Sequence, residues 1–342
     1  MVSPRTRYPV GTAAGRRLLW LGVAGLIVFL LAPTSTSALL IRKLNGPQSF
    51  LALPDDRGYF ISNVNGEPTD RDNNGFITKL DSEGQLIHRQ FIKGGRAGVV
   101  LHAPQGMAVV GTVLYVADLE ALRAFDTETG QPVTTVTVSR GKRSQGSTQG
   151  LADVAHDGAG VLYASDFGTN TIYRIDTKRD HAVSVVVSDE SLAGPRGVAV
   201  HPRTGHLIVV SWNEGTIFQI DAAGTLTVLV SNSFFSSRFN NLDGVDFDVW
   251  GNMYVSDFTA GKIWRMRPDG KFQVIAEHLP TPAGIGVDRK NHLILVPYLY
   301  ANAAEMNGME SPIKSRKNKR TLADYGFIVP KPPKEEDEES GD

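Results

Sequence analysis

Asp70, Asp72 and Asn74 occupy positions one, three and five of the stretch DRDNNGFITKLD, with Gly75 at six and Asp81 at twelve. Oxygen-bearing side chains on alternate residues, then a glycine that permits a sharp turn, are how a short loop wraps a hard cation such as calcium. The flanks decide what kind of loop this is. YFISNVNGEPT precedes it and FITKLD follows it, and neither carries a helical period. A helix-loop-helix calcium sensor is therefore excluded. Two readings stay open: a freestanding calcium loop held by Asp70, Asp72 and Asn74, or a turn closed by Asn74-Gly75 and capped by its own aspartates.

The elements that must position this loop come from a repeat. PQGMAVVGTVLYVAD (Pro104 to Asp118), LADVAHDGAGVLYASD (Leu151 to Asp166), PRGVAVHPRTGHLIVVS (Pro195 to Ser211) and LDGVDFDVWGNMYVSD (Leu242 to Asp257) share one phrase. A short apolar run is followed by a Gly- or Asp-bearing turn, then by a run ending in Ser-Asp or a relative. Degenerate copies begin at Pro47 and Pro282. The starts recur every ~40 to 57 residues, the length of a four-stranded propeller blade. TIYRID and KIWRMR alternate apolar and polar residues, as half-exposed third strands should. Six copies predict an all-β fold, a six-bladed β-propeller of four-stranded blades around a central channel, over residues 39–300. The recurrent Asp118, Asp166, Asp257 and Asn63 read as strand-end acceptors for the next turn, hence as architecture. Leu39 to Leu44 (LLIRKL) is expected to close the ring from the outer part of the last blade.

The segments SNVNGEPTDRDNNGFITKL, APQGMAVVGTVLYVADLEALRAFDTETG and LDGVDFDVWGNMYVSDFTAGKIWRMRPDG resemble the regucalcin, gluconolactonase and strictosidine-synthase-like propeller superfamily, most closely its exported gluconolactonase-like branch. Single units also resemble NHL repeats. The resemblance implies a channel-mouth site in which one divalent cation, held by Glu, Asn and Asp at blade starts, polarises a lactone carbonyl and activates water. At the implied ligand positions this chain has Gln48, Ala152 with Asp153 beside it, Arg196 and Asp243. Only Asp243 keeps the implied ligand type, and Arg196 puts a fixed positive charge where a dication would sit. The expected mouth set is Gln48, Gln105, Asp153, Arg196 and Asp243. Its readings are a structural Arg196–Asp243 ion pair, or a polar pocket in which Arg196 grips a carboxylate or phosphate.

The expected function is thus an exported propeller binding a small polar ligand or a protein partner at the channel mouth without metal-dependent catalysis. The alternative is a gluconolactonase-like lactone or ester hydrolase with a remodelled shell of Asp153, Asp243 and Gln48. No cofactor is expected other than a divalent cation such as calcium. Other chemistries fall away. The chain has no cysteine, which removes disulfides and thiolate catalysis, and no G-x-S-x-G elbow. His156 and His201 fall on turns expected to lie away from the channel, without zinc-ligand spacing. GRAG and GKRSQGSTQG lack the Walker pattern. A formal charge of −1 offers no basic field for nucleic acid. Trp212, standing where the other blades carry Asp, is read as packing that reaches the rim.

The ends differ from the middle. Arg5, Arg7, Arg16 and Arg17 precede the apolar run Leu18 to Ala32, and small residues follow as far as Ala38. This is the pattern of a secretory signal, with an uncleaved anchor as the alternative. Residues 1–38 are therefore expected to direct the chain to the periplasm or outside the cell, with membrane contact only through 18–32 if uncleaved. Their removal takes the charge from −1 to −5. Residues 301–342 are expected to be an irregular extension ending in the acidic tail KPPKEEDEESGD. A monomer is expected.

Overall fold

The computed structural model describes residues 38–138, 149–232 and 239–309. The expectations for residues 1–37, for most of GKRSQGSTQG and for the tail beyond Met309 lie outside them. Among the described residues no helix is long and apolar enough to cross a membrane.

Short β-branched and aromatic runs separated by turn residues fold here as six antiparallel sheets of four strands each, arranged as blades of a propeller. The innermost strands of blades 1 to 5 are Pro47–Ala52, Pro104–Val110, Leu151–His156, Pro195–Val200 and Leu242–Phe247. Blade 6 begins with Gly286–Asp288, continues through Leu293–Tyr298 and Ala303–Gly308, and takes Leu39–Ile41 as its outer strand. That strand pairs antiparallel, Leu39 with Met306 and Ile41 with Ala304, so the first strand of the chain belongs to the last blade. The ring is also closed at its centre. Gly284 donates to the Gln48 carbonyl at 2.8 Å, and Phe50 donates to Gly284 at 3.3 Å.

The core lies between blades. One cluster joins Ala199, Val210 and Ile217 of blade 4 to Val245, Val255 and Trp264 of blade 5. Another joins Ile41, Leu295 and Met306 of blade 6 to Phe50, Tyr59 and Ile61 of blade 1. Since the blades pack face to face, each inner strand approaches its neighbours closely and glycine is needed at some contacts. A Cβ on Gly106 would stand 2.6 Å from the Asp153 Cα, and one on Gly244 would stand 2.8 Å from the Gly284 Cα.

The expected end of the propeller at 300 is corrected to Gly308. The segment expected to be irregular from Ala301 contains the third strand of blade 6, Ala303–Gly308. Ala, Glu, Asn and Gly have weak strand propensity, so the pattern is faint. The strand forms because Leu293–Tyr298 and Leu39–Ile41 flank it on both edges.

The strand-end acceptors act as architecture. Asp118, fully buried, accepts from the backbone N–H of His102 at 3.0 Å and of Ala103 at 2.9 Å. Asp257 likewise accepts from Asn240 and Asn241, and Asn63 from Asn45.

Candidate functional site at the channel mouth

The second residue of each repeat forms a ring where the inner strands begin: Gln48, Gln105, Ala152, Arg196, Asp243 and Ala283. The inner strands of blades 1 to 5 are bulged at this point, and the polar members of the ring are buried. Gln48, Gln105, Arg196 and Asp243 are only 2%, 3%, 7% and 3% exposed. Such polar burial is tolerated only with partners. Arg196 donates one Nη to both Asp243 oxygens at 3.0 and 3.3 Å and the other to Gln149 Oε1 at 3.3 Å. Its guanidinium lies 5.1 Å from the centre of the Trp212 ring. Gln48 reaches over Ala283 and donates Nε2 to Asp243 at 3.2 and 3.4 Å.

Of the two readings of Arg196, the geometry therefore favours the ion pair: both of its Nη atoms already donate, one to Asp243 and one to Gln149. The opposite polarity is the one left over. Gln48 spends its amide N–H on Asp243, and Gln105 spends its own on the Ala103 carbonyl at 3.2 Å. Both side-chain carbonyl oxygens, Gln48 Oε1 and Gln105 Oε1, are buried without a donor.

Asp153 sits one position deeper than the ring. It lines a channel cavity of about 230 Å³. Its carboxylate accepts from Val154 N–H at 2.8 Å and Val198 N–H at 3.0 Å, stitching blade 3 to blade 4. Burial pushes its pKa up to about 7, with the Asp243 charge adding to the rise and the two backbone donors and Arg196 opposing it. Asp246 uses the same device farther down, accepting from Val287 N–H at 2.9 Å and pairing with Arg289. His156, expected away from the channel, lines the far part of this cavity. Burial holds its pKa down, against the nearby Asp157 charge.

A dication at the mouth does not fit these residues. The only carboxylate of the ring is covered by a guanidinium and an amide N–H, so the positive charge a metal would bring to it is already supplied. Among the described residues no group of three or more His, Asp or Glu side chains converges on one point.

The DRDNNG loop brings Asp70 and Asp72 together but not Asn74 as a ligand. Asp70 Oδ2 and Asp72 Oδ2 lie 3.2 and 3.6 Å from where a Cβ of Gly66 would stand. Asp70 caps Glu67 N–H at 3.0 Å and Asp72 caps Asn74 N–H at 3.3 Å. The Asn74 side chain donates to Asp72 and accepts from Asn65 at 3.0 Å, so its oxygen is directed elsewhere.

Sequence reasoning missed Gln149 as a mouth residue and Asp246 in the channel. The expectation that Trp212 stands in place of the strand-end Asp is corrected: Ser211 pairs with Pro195 as Asp118, Asp166 and Asp257 pair with the first residues of their blades, and Trp212 falls one residue later, level with Phe167 and Phe258.

No family model matches the chain, and no curated protein matches it. Solved structures do. A selenomethionine-substituted virginiamycin B lyase from Staphylococcus aureus aligns at TM-score 0.56 and 13% identity over 80% of this chain and 99% of that one. A streptogramin B lyase aligns at 0.54 and 13%, over 79% and 97%. A structural-genomics protein of unknown function from Bacteroides thetaiotaomicron aligns at 0.57 and 12%, over 79% and 75%. At such identities the likeness is one of fold: this chain shares the β-propeller architecture of these proteins.

Proposed function

We propose that this chain is an exported propeller that binds a small polar ligand at the channel mouth, without metal-dependent catalysis. The observation that carries the reading is the pair of sealed carbonyl oxygens on Gln48 and Gln105. An unanswered buried acceptor costs about 1–3 kcal/mol, so a ligand whose donors reach these oxygens as the mouth side chains move aside recovers that cost on binding. Hydroxyl and amine groups match this demand, whereas carboxylates and phosphates meet an Arg196 that is already paired. Export rests on the basic, apolar and small-residue order of residues 1–38. The superfamily resemblance supports a mouth-centred site, and the Arg196–Asp243 pair is the reason to separate this chain from the metal-dependent hydrolases of that superfamily.

The test is thermal unfolding of chelator-treated protein against a panel of polyols, sugars and amines, with calcium as a separate arm. A ligand that binds only the folded state raises the midpoint by mass action. The expected result is a rise with a donor-rich compound that Gln48→Met and Gln105→Met each abolish. Ligand shifts that survive both substitutions would move the site away from the mouth. A calcium shift lost in Asp243→Ala would restore the hydrolase reading.

A further inference from the structure

A second site lies between blades 5 and 6. The strands Lys262–Met266 and Phe272–Ala276 of blade 5 face Leu293–Tyr298 and Ala303–Gly308 of blade 6 across a cleft of about 470 Å³. That volume is within the range of small-molecule sites, roughly 300–1,000 Å³. Ile263, Val274, Ile275, Leu279, Ile294 and Val296 give it an apolar wall.

Arg265 lines the same cleft and is only 4% exposed. A buried guanidinium ordinarily has a carboxylate, as buried Arg196 and half-buried Arg123 do. Arg196 has Asp243 at 3.0 Å and Arg123 has Asp118 at 3.2 Å. No carboxylate among the described residues lies within ion-pair distance of Arg265, and its Nε–H is buried without an acceptor. Its polar neighbour is the Tyr254 hydroxyl, which donates to Asp248 at 2.9 Å. A buried guanidinium bonded to a hydroxyl but without a carboxylate at ion-pair distance is incompletely compensated, so a cavity beside it is well filled by the opposite charge.

We infer that this cleft binds a small amphiphilic monocarboxylate, its head on Arg265 and its hydrocarbon body against the apolar wall. Glu305 on the blade 6 side sets the limit on charge. Its carboxylate accepts from Tyr298 Oη at 2.6 Å and Asn307 Nδ2 at 3.3 Å, and it opposes a second negative charge on the ligand. A chain of about eight carbons suits the volume. The site is independent of the mouth, so Gln48→Met and Gln105→Met leave it unchanged.

Calorimetric titration of the full chain with octanoate, octylammonium and octanol tests the assignment. Octanoate is expected to bind and to raise the unfolding midpoint, with octanol weaker and octylammonium weakest. Arg265→Met weakens octanoate about tenfold or more, the loss of one charge-assisted contact. Ala276→Trp fills the cleft and blocks binding, and it decides the matter if Arg265→Met does not fold. No octanoate binding to the wild type at millimolar concentration overturns the proposal. So does octylammonium binding as tightly as octanoate, or octanoate binding that survives Ala276→Trp.

Discussion

Replacing Arg196 by Met removes the cation of a buried pair whose side chains are only 8% and 4% exposed, and leaves Asp243 without it. Stranding one partner of such a pair costs about 3–5 kcal/mol. The Gln48 amide, 3.2 Å from Asp243 Oδ1, still donates and offsets about 1 kcal/mol of that. Loss of the guanidinium from the Trp212 face adds about 0.5–1 kcal/mol. The net expectation is a loss of on the order of 3 kcal/mol at pH 7. At about 2–4 °C per kcal/mol for a domain of this size, the midpoint falls by about 6–12 °C. Urea unfolding and calorimetry read both quantities. The double variant Arg196→Met/Asp243→Leu recovers most of the loss, because a matched apolar replacement of both charges is close to neutral. Acidification also shrinks the deficit of the single variant, since protonation relieves a stranded carboxylate. A single variant within 1 kcal/mol of wild type would refute the reasoning, and so would a double variant less stable than the single one.

Three further outcomes follow from the same geometry. Asp153 titrates at about 7 folded against 3.8 unfolded, so the folded state holds the extra proton in that window. Its contribution to stability is therefore greatest below the unfolded value and falls away as pH rises from about 4 to 7; midpoints against pH should show this slope, and Asp153→Asn should flatten it. Gly106→Ala should destabilise by about 1–3 kcal/mol in urea unfolding, because the new methyl group overlaps the Asp153 carboxylate and crowds its Cα, and adding Asp153→Gly should not restore the wild-type value, since the 2.6 Å approach to the Cα remains. Calcium added to chelator-treated protein should leave the midpoint unchanged in both wild type and Asp70→Ala/Asp72→Ala; a rise in wild type that the variant loses would locate an ion in DRDNNG.

The repeated phrase from Pro104 to Asp257 was sufficient for the architecture, because period-two alternation and turn residues act within one blade and need no distant partner. Blade 6 was less legible. Its third strand, AAEMNG, is weak in propensity and is held by Leu39–Ile41 from the other end of the chain, a pairing that local sequence does not express. The candidate site divides in the same way. Gln48, Gln105, Arg196 and Asp243 could be placed at the mouth from their shared position in each repeat. Whether Arg196 grips a ligand or Asp243 depended on distances between blades, and the structure sets Asp243 at 3.0 Å. The repeat phase likewise put Asp153 beside the ring, but only the folded channel shows it enclosed and bonded to the next blade. Arg265 is the extreme case. In KIWRMR it reads as a polar residue on a half-exposed strand, and its burial without a carboxylate arises only when blade 6 packs across it. Sequence determined what recurs within a blade. Charge pairing and cavities belong to the contacts between blades, which exist only once the ring has closed.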